Sequence, residues 1–179
     1  DSAIIDKETN SVDAYGHVHI QQHTVDAWSQ TLHHDGNKKF STLKGNAKLS
    51  SGKMTLNTEE LFYDIKNKVS FYLTNGEVIK DSTVITSKKG YFYSKAQEVY
   101  FNDSVVIFDP NYHLTSDTLK YNTNTKISTF FGNTIIYNKD SRLYCNNGWY
   151  DSQRDVSSFG KNTVVVNPPQ RLTGDSLYY

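Results

Sequence analysis

One short phrase recurs along this chain at a nearly constant interval, and it limits what the chain can fold into. Leu-x-Tyr followed by Asp or Asn stands at Leu61-Phe62-Tyr63-Asp64 and Leu119-Lys120-Tyr121-Asn122, and Leu177-Tyr178-Tyr179 begins it again. Weaker copies are Leu32-His33-His34-Asp35, Tyr91-Phe92-Tyr93-Ser94 and Gly148-Trp149-Tyr150-Asp151. The third residue of each copy marks positions 34, 63, 93, 121, 150 and 179, which lie 29, 30, 28, 29 and 29 apart. Six units of about 29 residues therefore fill the 179 residues. A unit this small cannot bury an apolar face alone and gains burial by stacking on its neighbours.

The units read as strands. An apolar residue follows each of the first five marks by six positions: Phe40, Val69, Val99, Ile127 and Val156. The intervening residues are turn formers, as in Asp35-Gly36-Asn37-Lys38-Lys39 and Asn122-Thr123-Asn124-Thr125-Lys126. Asn, Asp and Gly accept the backbone conformations that tight turns need. A third marker, Gly16-His17, Gly45-Asn46, Gly76-Glu77 and Gly132-Asn133, reads as the opening of the next strand. Between turns the apolar period is two: Val18 and Ile20, Ala47 and Leu49, Met54 and Leu56, Val69 and Phe71, Val105 and Ile107. That is strand periodicity. Turns this short cannot make parallel crossovers, so the strands are expected antiparallel, about 16 in all, with each Leu-x-Tyr strand beside that of the next unit.

Composition narrows the function classes. Nineteen Lys and Arg balance 19 Asp and Glu, which argues against nucleic acid as a partner. A single Cys cannot form an internal disulfide. No apolar run approaches the roughly 20 residues of a membrane-spanning helix. A hydrophobic fraction of only 36%, with 13 Tyr and 9 Phe, fits a thin elongated stack rather than a thick globule.

No catalytic constellation emerges. His17 and His19 share a strand face, with His23, His33 and His34 nearby, but no ligand spacing recurs, and a polar outer face explains them without a metal. Cys145 lies in phase with Leu143 and reads as a small buried apolar residue rather than a nucleophile. Glu59 and Glu60 are adjacent, so in a strand they point to opposite faces. No cofactor motif is present, and the reading is non-enzymatic. Tyr63, Tyr93, Tyr121, Tyr150 and Tyr179 are expected to stack as a structural ladder along the units, with a rim for lipid headgroups as the functional alternative.

The repeat grammar resembles the OstA-like, or LptA-like, family of periplasmic lipopolysaccharide-transport proteins of Gram-negative cells. The residues that carry the resemblance are Gly45-Asn46-Ala47-Lys48-Leu49, Leu61-Phe62-Tyr63-Asp64 with Val69, Thr115 through Tyr121, and Thr173 through Tyr179. The resemblance implies an all-β, elongated, V-shaped antiparallel β-jellyroll forming one domain over residues 1–179. It also implies a non-enzymatic role in the periplasm: carrying or bridging lipopolysaccharide or another acylated lipid towards the outer membrane, with the acyl chains in an apolar groove. The apolar phase of the strands nominates Leu49, Leu56, Leu61, Val69, Phe71, Val99, Phe101, Leu119, Ile127 and Ile135 as the inward, groove-lining set. A structural or adhesive β-solenoid that packs its interior dry is the other reading.

An unclosed stack leaves an edge strand at each end. Neither Gly16 to Ile20 nor Arg171 to Tyr179 contains a blunting Pro. The pattern also stops after Tyr179, which reads either as a fragment of a longer repeat protein or as an end that pairs with another chain. Head-to-tail self-association, or strand addition to other jellyroll transport proteins, is the expectation.

Overall fold

Tight turns and period-two sequence produce an antiparallel meander. The computed structural model describes residues 1–22 and 24–178, so His23 and the last mark, Tyr179, lie outside the described residues. The strands are β1 (Ser2–Asp6), β2 (Ser11–Gln22), β3 (Val25–Asp35), β4 (Phe40–Ser51), β5 (Met54–Asp64), β6 (Val69–Tyr72), β7 (Gly76–Lys80) and β8 (Thr83–Ser87). They continue as β9 (Lys89–Tyr93), β10 (Glu98–Phe108), β11 (His113–Asn122), β12 (Ile127–Tyr137), β13 (Arg142–Asp151), β14 (Val156–Asn167) and β15 (Gln170–Tyr178). All join one 15-stranded sheet with β1 and β15 at its ends. Near the middle two long strands are each broken in two. β6 and β7 both pair with β5, while β8 and β9 both pair with β10.

The sheet is creased along its length. In hairpin after hairpin the register slips, so that two residues face one: Gly16-His17 against Gln30, Gly45-Asn46 against Glu59, Asp103-Ser104 against Asp117, Gly132-Asn133 against Asn146. An extra residue of this kind bends its strand. Gly45 and Gly132 take φ of 79° and 81° there, which an L side chain rarely adopts. Stacked in line, the bends divide the sheet into two leaves. Leaf A runs from the crease to the turns that follow the marks; leaf B runs from the crease to the opposite turns. The glycines Gly16, Gly45 and Gly132 therefore do not open strands, as their spacing suggested, but sit at mid-strand, and only Gly76 begins one.

Ser and Thr on the inner side fasten the crease. Ser29 donates to the Thr31 carbonyl at 2.9 Å, Ser87 to that of Lys89 at 2.8 Å, and Ser116 to that of Thr118 at 3.1 Å. These hydroxyls are buried, and each bond crosses the bulge where a ladder bond is missing.

Two further expectations need correction. The Leu-x-Tyr strands β3, β5, β9, β11 and β13 are not neighbours, because a return strand lies between each pair. The third mark is also displaced by one. Asp6, Asp35, Asp64, Asn122 and Asp151 each accept backbone N–H bonds in the turn that follows them, and Tyr93 occupies that position in the third unit. The mark is thus Phe92, and positions 34, 63, 92, 121 and 150 are separated by 29 every time. The run Tyr91-Phe92-Tyr93 offered a Tyr one residue late. The residues closing these turns in the left-handed conformation, Asn10, Lys39, Lys68, Gln97, Lys126 and Asp155, hold the same interval.

Candidate functional site: an apolar trough between the leaves

Alternation fixes which side chains enter the V. On leaf B the inner face carries an unbroken aliphatic row: Ile20, Ala27, Leu49, Leu56, Val78, Ile85, Ile107, Leu114, Ile136 and Leu143, each directly paired with the next. On leaf A the row nearest the crease runs Leu32, Leu43, Leu61, Tyr72, Gly90, Phe101, Leu119, Phe130, Gly148 and Phe159. Leu43, Tyr72, Phe101, Phe130 and Phe159 are 29 apart, as are Leu61, Gly90, Leu119 and Gly148. Small residues line the crease itself, among them Ala47, Gly76, Ser87, Ser116 and Thr134, and these let the leaves meet at a narrow angle.

Of the nominated inward residues, Leu49, Leu56, Leu61, Val99, Phe101 and Leu119 lie on the inner face. Val69, Phe71, Ile127 and Ile135 alternate to the outer face, because their neighbours Ser70, Tyr72, Ser128 and Ile136 point inward. Phe71 reaches the cavity wall, but its ring stacks on Phe62 at 5.0 Å and on Tyr91 at 5.7 Å, outside the V. The outer face of leaf A is itself aromatic there, so hydrophobicity could not distinguish the two faces. The inner marks Tyr63, Phe92, Tyr121 and Tyr150 do not form a ladder. The return strand places Ser70, Val99 or Ser128 between them, which separates the rings by about 9–10 Å. The ring stack lies outside instead, along Phe40, Phe62, Phe71, Tyr91, Tyr93 and Tyr100.

The trough is open in one half and filled in the other. Between the leaves of the first three units lies a cavity of about 420 Å³, floored by Leu43, Leu61 and Tyr72, faced by Leu49, Leu56 and Val78, and ending at Val99 and Phe101. Tyr72 contributes to this space by leaving it. Its ring, 3% exposed, is tucked into the crease against Gly76 and Gly90, and Gly90 places no side chain in the trough. Because the Ser87 hydroxyl is committed to Lys89, the Tyr72 hydroxyl donates to Ser87 at 2.7 Å. Burial pushes the Tyr72 phenol up despite that bond. Beyond Phe101 the side chains of Val105, Ile107, Leu114, Leu119, Phe130, Cys145 and Phe159 pack into one buried cluster. Cys145 sits inside it, and burial pushes its thiol up to about 11. The rims also meet there, with Lys80 of leaf B over the Tyr121 ring of leaf A at 5.9 Å.

Three of the histidines face acids rather than one another. His17 pairs with Asp1 at 3.1 Å, His19 with Asp26 at 2.9 Å and His33 with Asp13 at 2.7 Å, and His34 bonds Ser41 at 2.9 Å. Among the described residues no three metal-ligating side chains converge, and no helix is long and apolar enough to cross a membrane.

A creased antiparallel sheet enclosing an apolar trough defines a V-shaped β-jellyroll. The chain belongs to the OstA-like family, whose sequence model matches residues 1–117 and 109–175. Its fold is similar to that of LptH, the LptA-homologous periplasmic component of the lipopolysaccharide transport device of Pseudomonas aeruginosa. That likeness has a TM-score of 0.53 at 11% identity, covering 58% of this chain and 79% of that one. A comparison with curated proteins finds no match.

Proposed function

We propose that this protein is a non-enzymatic lipid carrier of the periplasm, which takes lipopolysaccharide or another acylated lipid between its leaves on the way to the outer membrane. The observation that carries the reading is the unfilled apolar trough of the first three units, walled by aliphatic rows of both leaves. Each methylene transferred from water into such a wall contributes about 0.8 kcal/mol, so a single long chain supplies ample driving force. Membership of the OstA-like family and the likeness to a periplasmic transport component support the same reading. Bridging is proposed to run by strand addition to this sheet, from a second copy or from another jellyroll of the transport path.

Photo-crosslinking residues placed on one strand test the carrier reading. Leu56 faces the trough and Asn57 the other side of β5, so a crosslinker at Leu56 captures lipid in cells and one at Asn57 does not. Equal capture at both sites removes the trough as the lipid site.

A further inference from the structure

We propose that the lipid site of this chain is a blind pocket, confined to the first three units, that takes one acyl chain bearing an anionic head. The inference rests on the carrier reading and adds where the site ends, how much it holds and what charge it selects.

The end is built from side chains. Phe101 lines the cavity at the fourth unit, and behind it Leu114, Leu119, Phe130 and Phe159 pack with it into one buried cluster. The rims also approach each other where the filled half begins. Lys80 reaches from one rim to the Tyr121 ring on the other at 5.9 Å, and Tyr112 is partly buried against the same cluster. Capacity follows from volume. A cavity of about 150 Å³ admits benzene, so by proportion the 420 Å³ here holds roughly 17 carbons, a single long chain.

The charge at the mouth is asymmetric. Ile65 and Ser94 of the leaf A turns line the cavity, which places the tips of those turns at its opening. The three turns beside the cavity carry Lys38, Lys39, Lys66, Lys68 and Lys95 against two acids, Asp35 and Asp64. Lys38 pairs with Asp35 at 3.0 Å, which leaves Lys39, Lys66, Lys68 and Lys95 against Asp64. The turns of leaf A away from the cavity carry Lys7, Lys126 and Arg154 against Asp6, Glu8, Asp151 and Asp155. The Asn122–Lys126 turn also holds one uncompensated lysine, while the Asp6–Asn10 and Asp151–Asp155 turns carry an excess of acid, so the largest continuous run of cationic turns lies at the opening, where an anionic head would sit.

The test uses the full chain with palmitate, its neutral glycerol monoester and a hexa-acyl lipid A, together with photo-crosslinkers at Leu49 in the open half and Ile136 in the filled half. The expected result is one palmitate per chain, with capture at Leu49 at least tenfold above that at Ile136. Lys66→Glu with Lys95→Glu weakens palmitate about tenfold and leaves the neutral ester unchanged. Lipid A is captured through one chain, again at Leu49. Equal capture at Leu49 and Ile136 overturns the blind pocket while leaving lipid carriage standing. An equal loss of both palmitate and its ester overturns the anionic head. Absence of capture from every lipid overturns the inference and the carrier reading together.

Discussion

The pair Tyr72 and Gly90 occupies the positions that Leu43 and Leu61 occupy one unit earlier, and the two pairs are directly opposed in the same way. A Cβ at Gly90 would lie 2.3 Å from the Tyr72 ring, and one at Gly76 would lie 2.4 Å from it. Gly90→Leu therefore collides with the ring and drives it out of the crease towards the open trough. Overpacking costs roughly 1–3 kcal/mol, and expelling the ring also gives up the bond to Ser87, worth about 1 kcal/mol, so the expected loss is about 2–4 kcal/mol. Tyr72→Leu alone leaves a void over two glycines and is expected to lose about 1–3 kcal/mol. Together the two substitutions rebuild the Leu–Leu pair of the preceding unit, so the double variant recovers at least about 1.5 kcal/mol relative to the sum of the singles. Urea unfolding at constant m-value reads all three. Losses that add to within about 0.5 kcal/mol would show that Tyr72 does not depend on the glycine slot, and would remove the physical reason given for the open trough.

Ser116→Ala deletes a crease fastener and leaves the Thr134 hydroxyl short of its 2.9 Å partner, so it should cost about 1 kcal/mol, where a surface Ser→Ala is neutral in the same urea assay. With its thiol pushed up to about 11, Cys145 holds on the order of 100-fold less thiolate at pH 8 than an ordinary cysteine, and alkylation should wait for unfolding; prompt labelling of the folded protein would place it outside the cluster. Asp35 and Asp64 are held below the ordinary carboxylate range, first by the backbone N–H groups of Lys38 and Asn67. Depressed folded values mean that their contribution is complete above the unfolded carboxylate pKa and is lost as pH falls through the folded values. The amide signals of Lys38 and Asn67 should accordingly move at a pH below the unfolded range, and movement at or above about 3.9 would refute the turn assignment.

Fold class was legible because turn chemistry and period two are local properties. Leu49 and Leu56 show one apolar face against the polar neighbours Lys48, Ser50, Thr55 and Asn57, and the structure places both inward. Val69, Phe71 and Ile127 were placed on the wrong face for the same local reason. The outer side of leaf A carries Phe62, Tyr91 and Tyr100, so both phases of those strands are apolar. The better signal was the strict interval of 29, which Tyr93 hid by standing in for the turn acid. The crease was half visible. Gly45-Asn46 and Gly132-Asn133 were seen as markers, but only pairing shows that two residues there face one. The fasteners Ser29, Ser87 and Ser116 could have been found by stepping 29 residues once the phase was right. That the trough fills beyond Phe101 could not be read from the sequence, because Leu114 and Leu56, two repeats apart, are equivalent there and differ only in what faces them across the V.

Lipid carriage is tested most directly by mass spectrometry of the full chain, purified from the cells that make it in the absence of detergent, with an organic extract of the same sample. The account predicts an acylated species bound to the folded protein, present in the extract and lost from the Ser70→Trp variant, whose indole occupies the open half of the trough. A protein that emerges free of lipid under conditions where a control carrier retains its own, or a lipid retained equally by the Ser70→Trp variant, would contradict it.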